Sequence, residues 1–145
     1  MPTVADLVSI KGSRIHTVSP DASVLDAIRR MNQHQIGALV VMSNGRVTGM
    51  FTERDVLRRV MAEMLPPEAV TVAQVMTNEV ICCPPDMDIE DVSRIMTDRK
   101  IRHLPVCDAD GELHGLISIG DLNAFYASSQ EQTINYLTDY IYGRV

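Results

Sequence analysis

Two short stretches of the sequence, GMFTERDV and GLISIGDL, each place a hydroxyl three residues before an aspartate. The pairs are Thr52 with Asp55 and Ser118 with Asp121. In both, the hydroxyl follows an apolar segment typical of a strand, where a helix is predicted to begin. The simplest chemistry of this spacing is a capping box. In that motif the hydroxyl accepts a first-turn N–H and the carboxylate accepts the N–H of the cap residue.

The same arrangement could also hold a nucleotide. A helix N-terminus offers free N–H groups and the positive end of the helix dipole, so a phosphate can bind there with help from a threonine or serine hydroxyl. An ionised aspartate one turn into the helix can accept from both ribose hydroxyls, each bond contributing about 1.5–3 kcal/mol. Residue types and spacing leave both hypotheses open, the cap and the nucleotide site.

The sequence does not predict a catalytic centre. The four histidines, His16, His34, His103 and His114, lack the spacing of metal ligands, and no serine or cysteine lies in a nucleophile elbow. The glycines form neither a P-loop nor a dinucleotide-binding fingerprint between a strand and a helix. We therefore expect no enzymatic activity, no catalytic cofactor and no metal.

The two stretches belong to an internal repeat that spans most of the chain, since residues 19–41 align with residues 84–106. After a one-residue insertion in the second copy, the two motif aspartates also align. Each copy is predicted to be a β-α-β-β-α unit. The predicted divisions are a first unit with its lead segment over residues 1–66, a second unit over 67–128, and a C-terminal helix over 129–145.

Each unit is predicted to begin with a short lead strand, at residues 15–18 and 80–82, followed by a helix. The helix begins behind Ser23 in the first copy and behind Asp88 in the second. Apolar residues at helical spacing predict the core-facing sides of these helices. They are Val24, Ala27, Ile28 and Met31 in the first copy and Ile89, Val92 and Met96 in the second.

A hairpin and a second helix complete each unit. The dipeptide Asn44-Gly45 predicts a two-residue turn because both residues tolerate positive φ, and Asp110-Gly111 predicts the same turn in the second copy. The helices after the hairpins are predicted at residues 53–63 and 120–128.

A proline-containing linker, residues 64–70, separates the two units. Units of about 60 residues bury too little surface alone, so we expect the two sheets to pack together with the helices outside. This is an α/β (α+β) fold with pseudo-two-fold symmetry. A further helix is predicted to start at a Ser129 cap and to present an apolar stripe to a partner subunit or to the main body: Ile134, Leu137, Tyr140 and Ile141.

The composition of the chain limits the kinds of function that it is expected to have. The 145 residues are 46% hydrophobic, and 13 basic against 19 acidic residues give a net charge of −6, which argues against nucleic-acid binding. No apolar run predicts a membrane span or a secretory signal, so we expect a cytoplasmic protein. The three cysteines show no metal-ligand spacing and are predicted to be buried thiols in a reducing compartment.

With these motifs the chain resembles the cystathionine-β-synthase (CBS) domain pair, or Bateman module, and most of all its stand-alone bacterial members. The tandem unit, the segments IGALVV and IRHLPV, and the endings MFTERD and LISIGD carry the resemblance, which covers nearly the whole chain. The resemblance implies clefts between the units that bind adenosine-containing ligands such as AMP, ADP, ATP, NAD(H) or S-adenosylmethionine. It also implies a homodimer formed through helices.

The resemblance also implies which residues surround each motif aspartate. The cleft of Asp55 and Thr52 would be completed by Thr77, Val80, Ile81, Ile101, Arg102 and His103. The cleft of Asp121 and Ser118 would be completed by Lys11, Ile15, His16, Ile36, Gly37 and Ala38. Arg54 and Arg102 would be the phosphate partners, because a guanidinium fork suits phosphate. Arg58 and Arg59 are interpreted as a solvated or inter-subunit face.

We therefore expect a non-enzymatic regulatory protein that binds adenine nucleotides, dimerises and acts on a target protein that the sequence does not name. One alternative is a structural or protein-docking module in which both motifs serve only as caps. Another is a small enzyme acting on a nucleotide.

Overall fold

A computed structural model describes residues 2–12 and 14–141, and for residues 131–140 it describes the backbone alone. The first half contains α1 (Val4–Lys11), β1 (Thr17–Val18), α2 (Val24–His34), β2 (Ala38–Ser43), β3 (Arg46–Thr52) and α3 (Glu53–Asp55), which continues as a π-helix over Val56–Met61. The second half contains α4 (Val72–Val75), α5 (Ile89–Arg99), β4 (His103–Cys107), β5 (Leu113–Ser118) and α6 (Ile119–Ile141). In the described part of the chain, no helix is long and apolar enough to span a membrane.

Local capping explains where α1, α2 and α4 begin. Ser23 Oγ accepts the backbone N–H of Asp26 at 3.0 Å, as predicted, and this fixes the start of α2. The short helices α1 and α4, which precede the two units, begin with capping boxes. These are formed by Thr3 with Asp6 and by Thr71 with Gln74. The predicted core faces of α2 and α5 are confirmed, except that Ile28 is only partly buried.

The first sheet has the strand order β1-β2-β3. Strand β1 pairs parallel with β2, and β2 pairs antiparallel with β3. The predicted two-residue turn is confirmed, because Ser43 pairs with Arg46 and both Asn44 and Gly45 have positive φ.

The second sheet, β4-β5, departs from the first in two ways. Its turn is a five-residue loop over residues 108–112 with positive φ at Gly111 alone, so the prediction of a second two-residue turn is wrong. The inserted residue adds one position, and the second sheet lacks an equivalent of the Ser43–Arg46 pair, which adds two more. The Asp108 carboxylate organises the loop by accepting the N–H groups of Asp110 and Glu112. The predicted lead strand at residues 80–82 is reduced to an isolated bridge between Cys83 and Val106.

The two lead helices are exchanged between the units. Helix α1 packs on the second unit, where the N–H of Val4 donates to the Met87 carbonyl at 2.9 Å. Helix α4 packs on the first unit, where the N–H of Val72 donates to the Ala22 carbonyl at 2.9 Å. Each core therefore combines the helix and strands of one unit with the lead helix that precedes the other unit. One contains Val4, Leu7, Ile89, Val92, Met96, Leu104 and Ile117; the other contains Val24, Ala27, Met31, Leu39, Phe51, Val72 and Val75.

The two sheets also pack against each other, as predicted. Ala38, Val40 and Met50 of the first sheet meet Leu113 and Leu116 of β5 in a third apolar cluster. Strand β2 is consequently buried on both faces, which explains its continuous apolar run. The sheets meet at the centre and α2 and α5 cover their outer sides, so the corners where β3 and β5 enter their helices lie beside the junction of the units.

Several boundaries differ from the predictions. Helix α6 runs unbroken from Ile119 to Ile141, so the predicted separate helix that starts at Ser129 is wrong. Ile141 is exposed, and the side chains of the other predicted stripe residues lie outside those described. The helical segment after β3 ends at Met61 and is mostly π-helical. Cys83 and Cys107 are buried as predicted, whereas Cys82 is exposed and that prediction is wrong.

Candidate functional site

A cavity of about 440 Å³ opens between the two units beside Asp55. Three segments form its walls: the β3–α3 corner, the chain before α5, and the start of β4. All residues predicted for this cleft line it, namely Thr52, Arg54, Asp55, Thr77, Val80, Ile81, Ile101, Arg102 and His103. The volume lies within the range of about 300–1,000 Å³ that is usual for small-molecule sites.

Asp55 is the buried polar centre of this cleft, with its side chain 5% exposed. Its Oδ2 accepts the N–H of Thr52 at 3.0 Å, and its own N–H donates to Thr52 Oγ1 at 3.3 Å. The predicted capping box is therefore formed. The Thr77 hydroxyl donates to Oδ1 at 3.2 Å, and Arg59 Nε lies 3.6 Å from Oδ1. The Thr52 hydroxyl also donates to Oδ2 at 3.3 Å, so a ligand hydroxyl that reached Oδ1 would share or replace the contacts of Thr77 and Arg59.

Arg59 lies in the cleft, although the sequence did not predict it as a site residue. Besides facing Asp55, its Nη1 donates to the Met76 carbonyl at 2.9 Å. Arg58 also lines the cavity. The pair is exposed, as a solvated face would be, and it faces the cleft as well. Arg59 lies one turn after Asp55, and this i, i+4 spacing was the available signal.

The cleft concentrates the positive charge of an acidic protein. Six of its thirteen lysines and arginines line the cavity: Arg54, Arg58, Arg59, Arg99, Lys100 and Arg102. The acids that line it are Glu53, Asp55 and Glu79. Arg54 Nη1 donates to the Lys100 carbonyl at 3.3 Å and so holds one guanidinium across the junction of the units. A site with this excess of cations suits an anion with several negative oxygens.

His103 lies in the cleft wall as an uncharged donor or acceptor at neutral pH. Burial lowers the pKa of His103 most, and the nearby charge of Lys11 lowers it further. Glu53 and Asp121 pull the pKa upward, but the net direction is below the usual value of 6.5. The neutral imidazole can therefore hydrogen-bond a ligand but adds no charge to the arginine cluster.

The corner at Asp121 is built alike but has a different partner. Ser118 Oγ accepts the Asp121 N–H at 3.1 Å, and the Ser118 N–H donates to Asp121 Oδ2 at 2.8 Å. Lys11 Nζ then donates both to Asp121 Oδ2 and to the Leu116 carbonyl, each at 2.6 Å. The exchanged α1 delivers this lysine from the other repeat. Its ammonium group neutralises the Asp121 carboxylate.

The contacts described for the other residues predicted for the Asp121 cleft are with groups other than Asp121. Ile15 and Ala38 pack between the two sheets. Ile36 packs against the first-unit core. His16 stacks on His34 with ring centroids 3.9 Å apart. Gly37 lies in the wall of the Asp55 cleft, where a side chain would meet the Glu53 carboxylate.

Asp108, Glu112 and His114 form a small polar group that includes none of the residues of the two corners. A carboxylate oxygen of each acid and a ring nitrogen of the histidine lie within 4.8 Å of one another. His114 Nε2 lies 2.7 Å from Asp108 Oδ2. This hydrogen bond is the largest cause that raises the pKa of His114 and lowers that of Asp108. The group stabilises the loop over residues 108–112.

Known proteins match the chain over most of its length. The family model of the CBS domain matches residues 4–62 and 72–128, which covers most of the chain. The chain belongs to the CBS domain family. In this CBS pair, the two matched motifs are the two units of the repeat, each with its aspartate corner.

Proteins of similar size align with most of the chain. The chain is 34% identical to the CBS domain-containing protein YhcV of Bacillus subtilis, covering 96% of this chain and 95% of that protein. A solved protein with CBS domains from Burkholderia ambifaria matches with a TM-score of 0.84 and 37% identity over 89% of this chain and 96% of that one. The CBS pair of protein MJ0100, solved in complex with 5′-methylthioadenosine and S-adenosyl-L-methionine, matches in fold with a TM-score of 0.79 at 21% identity, covering 89% and 98% of the two chains.

The Lys11–Asp121 pair predicts a pH-dependent contribution to the stability of the CBS pair. Burial alone would raise the pKa of Asp121, but the hydrogen bonds from Lys11 and Ser118 and the lysine charge outweigh it and lower the pKa below 3.8. The stabilisation is therefore fully present above the unfolded-state pKa and is lost as the pH falls through the lower folded-state value. We expect Lys11→Met to lower the free energy of unfolding by about 1 kcal/mol at pH 7.

Urea unfolding of Lys11→Met and of the wild type at several pH values measures this contribution. The difference between the two proteins should shrink below pH 3.8 and vanish once Asp121 is protonated in both. Arg46→Met, at an exposed hairpin position, is the matched control and should show no such trend. A difference for Lys11→Met that stays constant across the acid range would contradict the prediction.

Proposed function

We propose that this protein is a non-enzymatic regulatory module whose Asp55 cleft binds an adenine nucleotide: AMP, ADP, ATP or NAD(H). The main support for this proposal is a buried aspartate that lines a cavity between the two units. Six basic side chains line the same cavity. Asp55 would accept the ribose hydroxyls, and Arg54 and Arg102 would hold phosphate. The apolar side chains of Val80, Ile81 and Ile101 would contact the adenine faces.

The adenosine part of this proposal is supported by a relative. The MJ0100 CBS pair was solved with two adenosine-containing ligands, and its fold matches this chain. The basic residues are this chain's own contribution, and they favour ligands that carry phosphate. At the Asp121 corner, Lys11 must be displaced or must itself contact the ligand, so we expect the Asp55 cleft to bind first.

Regulation would follow from the position of the cleft. Its walls come from both units, so a bound nucleotide would favour the relative orientation in which both walls contact it. A coupling of about 1–3 kcal/mol is enough to switch a partner protein between two states. The regulated target would be a separate protein.

The regulatory module would act as a homodimer. Helix α2 and the helical segment after β3 line an apolar groove of about 450 Å³ that contains Ile28, Met31, Val56, Leu57 and Met61. In the single chain Leu57 is 66% exposed and Met61 58% exposed. Two large apolar side chains so exposed beside a groove are typical of an interface. A second copy of the chain would cover them.

Thermal unfolding with AMP, ADP, ATP, NADH and adenosine tests the nucleotide proposal. At one hundred times the dissociation constant, a ligand stabilises the folded state by about 2.7 kcal/mol. For a chain of this size this corresponds to a rise of about 5–10 °C in Tm. We expect Arg102→Gln to weaken the phosphate-bearing ligands by roughly tenfold to a hundredfold and to leave adenosine unchanged.

Arg46→Gln is the control for the loss of one surface arginine, because Arg46 lies on the exposed hairpin outside the cleft. The docking-module alternative is favoured by the complete capping geometry at both corners. It predicts no nucleotide-dependent change in Tm even for the wild type. That result would overturn the nucleotide proposal, and turnover of a bound nucleotide would overturn the non-enzymatic assignment.

A further inference from the structure

Two thiols from different parts of the second unit lie against each other. Cys82 Sγ and Cys107 Sγ are 3.0 Å apart, with the Cys107 thiol donating to the Cys82 sulfur. Backbone pairing brings the two segments together: Cys83 bonds through its N–H to the Pro105 carbonyl and through its carbonyl to the N–H of Cys107. Cys83 itself points into the core, where it is 1% exposed.

The two thiols differ in their access to solvent. Cys82 is exposed, whereas Cys107 is 8% exposed. Burial, followed by the hydrogen bond with Cys82, raises the pKa of Cys107 to about 12. Cys107 therefore stays protonated before oxidation, and its sulfur becomes nucleophilic only as its proton passes to the departing hydroxide. An accessible thiol beside a protected second thiol is the arrangement of cysteine pairs that react with an oxidant and then close a disulfide.

We propose that Cys82 and Cys107 are a reversible oxidation site that forms an intramolecular disulfide on reaction with a hydroperoxide. The Cys82 thiolate attacks one peroxide oxygen, the O–O bond breaks, and the departing alkoxide or hydroxide takes up the proton that Cys82 released. Cys82 is then a sulfenic acid. The Cys107 sulfur attacks the Cys82 sulfur, the S–O bond breaks, and the Cys107 proton leaves with the hydroxide as water. The two thiols together lose two electrons, which reduce the peroxide.

Little movement is needed for this closure. The sulfurs must approach by about 1 Å to reach the disulfide length of roughly 2.03–2.05 Å. The disulfide would join the segment before α5 to the end of β4. Val80, Ile81 and Pro105 line the Asp55 cleft on these same segments. The disulfide would therefore fix one wall of the cleft to the end of β4. The oxidation itself does not depend on nucleotide binding.

Peptide mapping of the reduced full-length chain after treatment with hydrogen peroxide tests the proposal. Trypsin cleavage after Arg59, Arg94 and Arg102 places Cys82 in residues 60–94 and Cys107 in residues 103–144. We expect a linked pair of peptides whose mass is lower than their sum by two hydrogen atoms, and fragmentation should assign the link to Cys82. Dithiothreitol should restore the separate peptides.

Cys82→Ser is the decisive variant, because Cys82 is exposed and its replacement leaves the core intact. It should lower the yield of linked peptide at least about tenfold, and Cys83→Ser should not. A link through Cys83, a disulfide between two chains, or Cys82 oxidised to sulfinic acid without any link would each overturn the proposal.

Discussion

Asp55→Asn is expected to weaken nucleotide binding at least about a hundredfold. In the proposed complex the carboxylate accepts from two ribose hydroxyls, and each charge-assisted bond is worth about 1.5–3 kcal/mol. An amide keeps the shape of the side chain but loses the charge and one acceptor. Because about 1.4 kcal/mol is tenfold in affinity, weakening both bonds gives the expected factor. Isothermal titration calorimetry with AMP and ATP measures it.

The same substitution also affects stability, so the two effects must be separated. Asp55 caps α3 and accepts from Thr77, and an amide group would place a donor against Thr77 or Arg59. We expect the free energy of unfolding to fall by about 1–3 kcal/mol. Affinity should therefore be measured at a temperature at which circular dichroism shows the variant to be folded.

Asp121→Asn is the matched control, since it changes the equivalent acid of the other repeat. It should leave the affinity of the Asp55 cleft within about twofold, because it removes the partner of Lys11 and no group of that cleft. Equal affinity of Asp55→Asn and the wild type would show that Asp55 acts only as a helix cap.

The local features of the fold could be predicted because neighbouring residues determine them. The Ser23 cap and the Asn44-Gly45 turn depend on a few consecutive residues, and the structure confirms both. The sheet-on-sheet packing also followed, because two small repeated units must cover each other's apolar faces. The Asp110-Gly111 turn failed because its loop is longer, so the dipeptide no longer spans the strand ends.

Other features depend on contacts between distant residues, and local patterns do not determine them; Lys11 beside Asp121 was implied by the family resemblance alone. The exchange of α1 and α4 between the units brings Lys11 to Asp121, and no local pattern indicates which unit a lead helix will cover. Likewise, nothing near Cys82 in the sequence marks Cys107 as its neighbour, because backbone pairing of the segment before α5 with β4 places them together. The repeat identified the aspartate corners, and the resemblance implied Thr77 and Lys11 as their neighbours. The structure was needed to show Arg59 beside Asp55.

The cleft and the proposed dimer groove share part of a wall. Gly37 and Glu53 line both cavities, and the Glu53 N–H donates to the Gly37 carbonyl at 3.0 Å. The α3 segment starts at the Asp55 corner and carries Leu57 and Met61 into the groove within two turns. A change in the position of this segment on ligand binding would therefore reach a partner subunit directly.

Leu57→Glu is expected to dissociate the homodimer, raising its dissociation constant at least about a hundredfold. The leucine is 66% exposed in the single chain, so the substitution should change the stability of the protomer by less than about 0.5 kcal/mol. In the dimer the same position would be covered, and an unpaired carboxylate there would lose its hydration. Central apolar residues of interfaces commonly cost 2 kcal/mol or more when replaced.

Sedimentation velocity over a range of protein concentrations distinguishes this outcome from a general effect of added charge. Ile10→Glu is the control: Ile10 is 75% exposed on α1, outside the groove, and its substitution should leave the dimer intact. A monomeric wild type, or a Leu57→Glu variant that dimerises like the wild type, would contradict the prediction. Dissociation by Ile10→Glu alone would place the interface on α1 instead. The groove between α2 and the π-helical segment would then need another role.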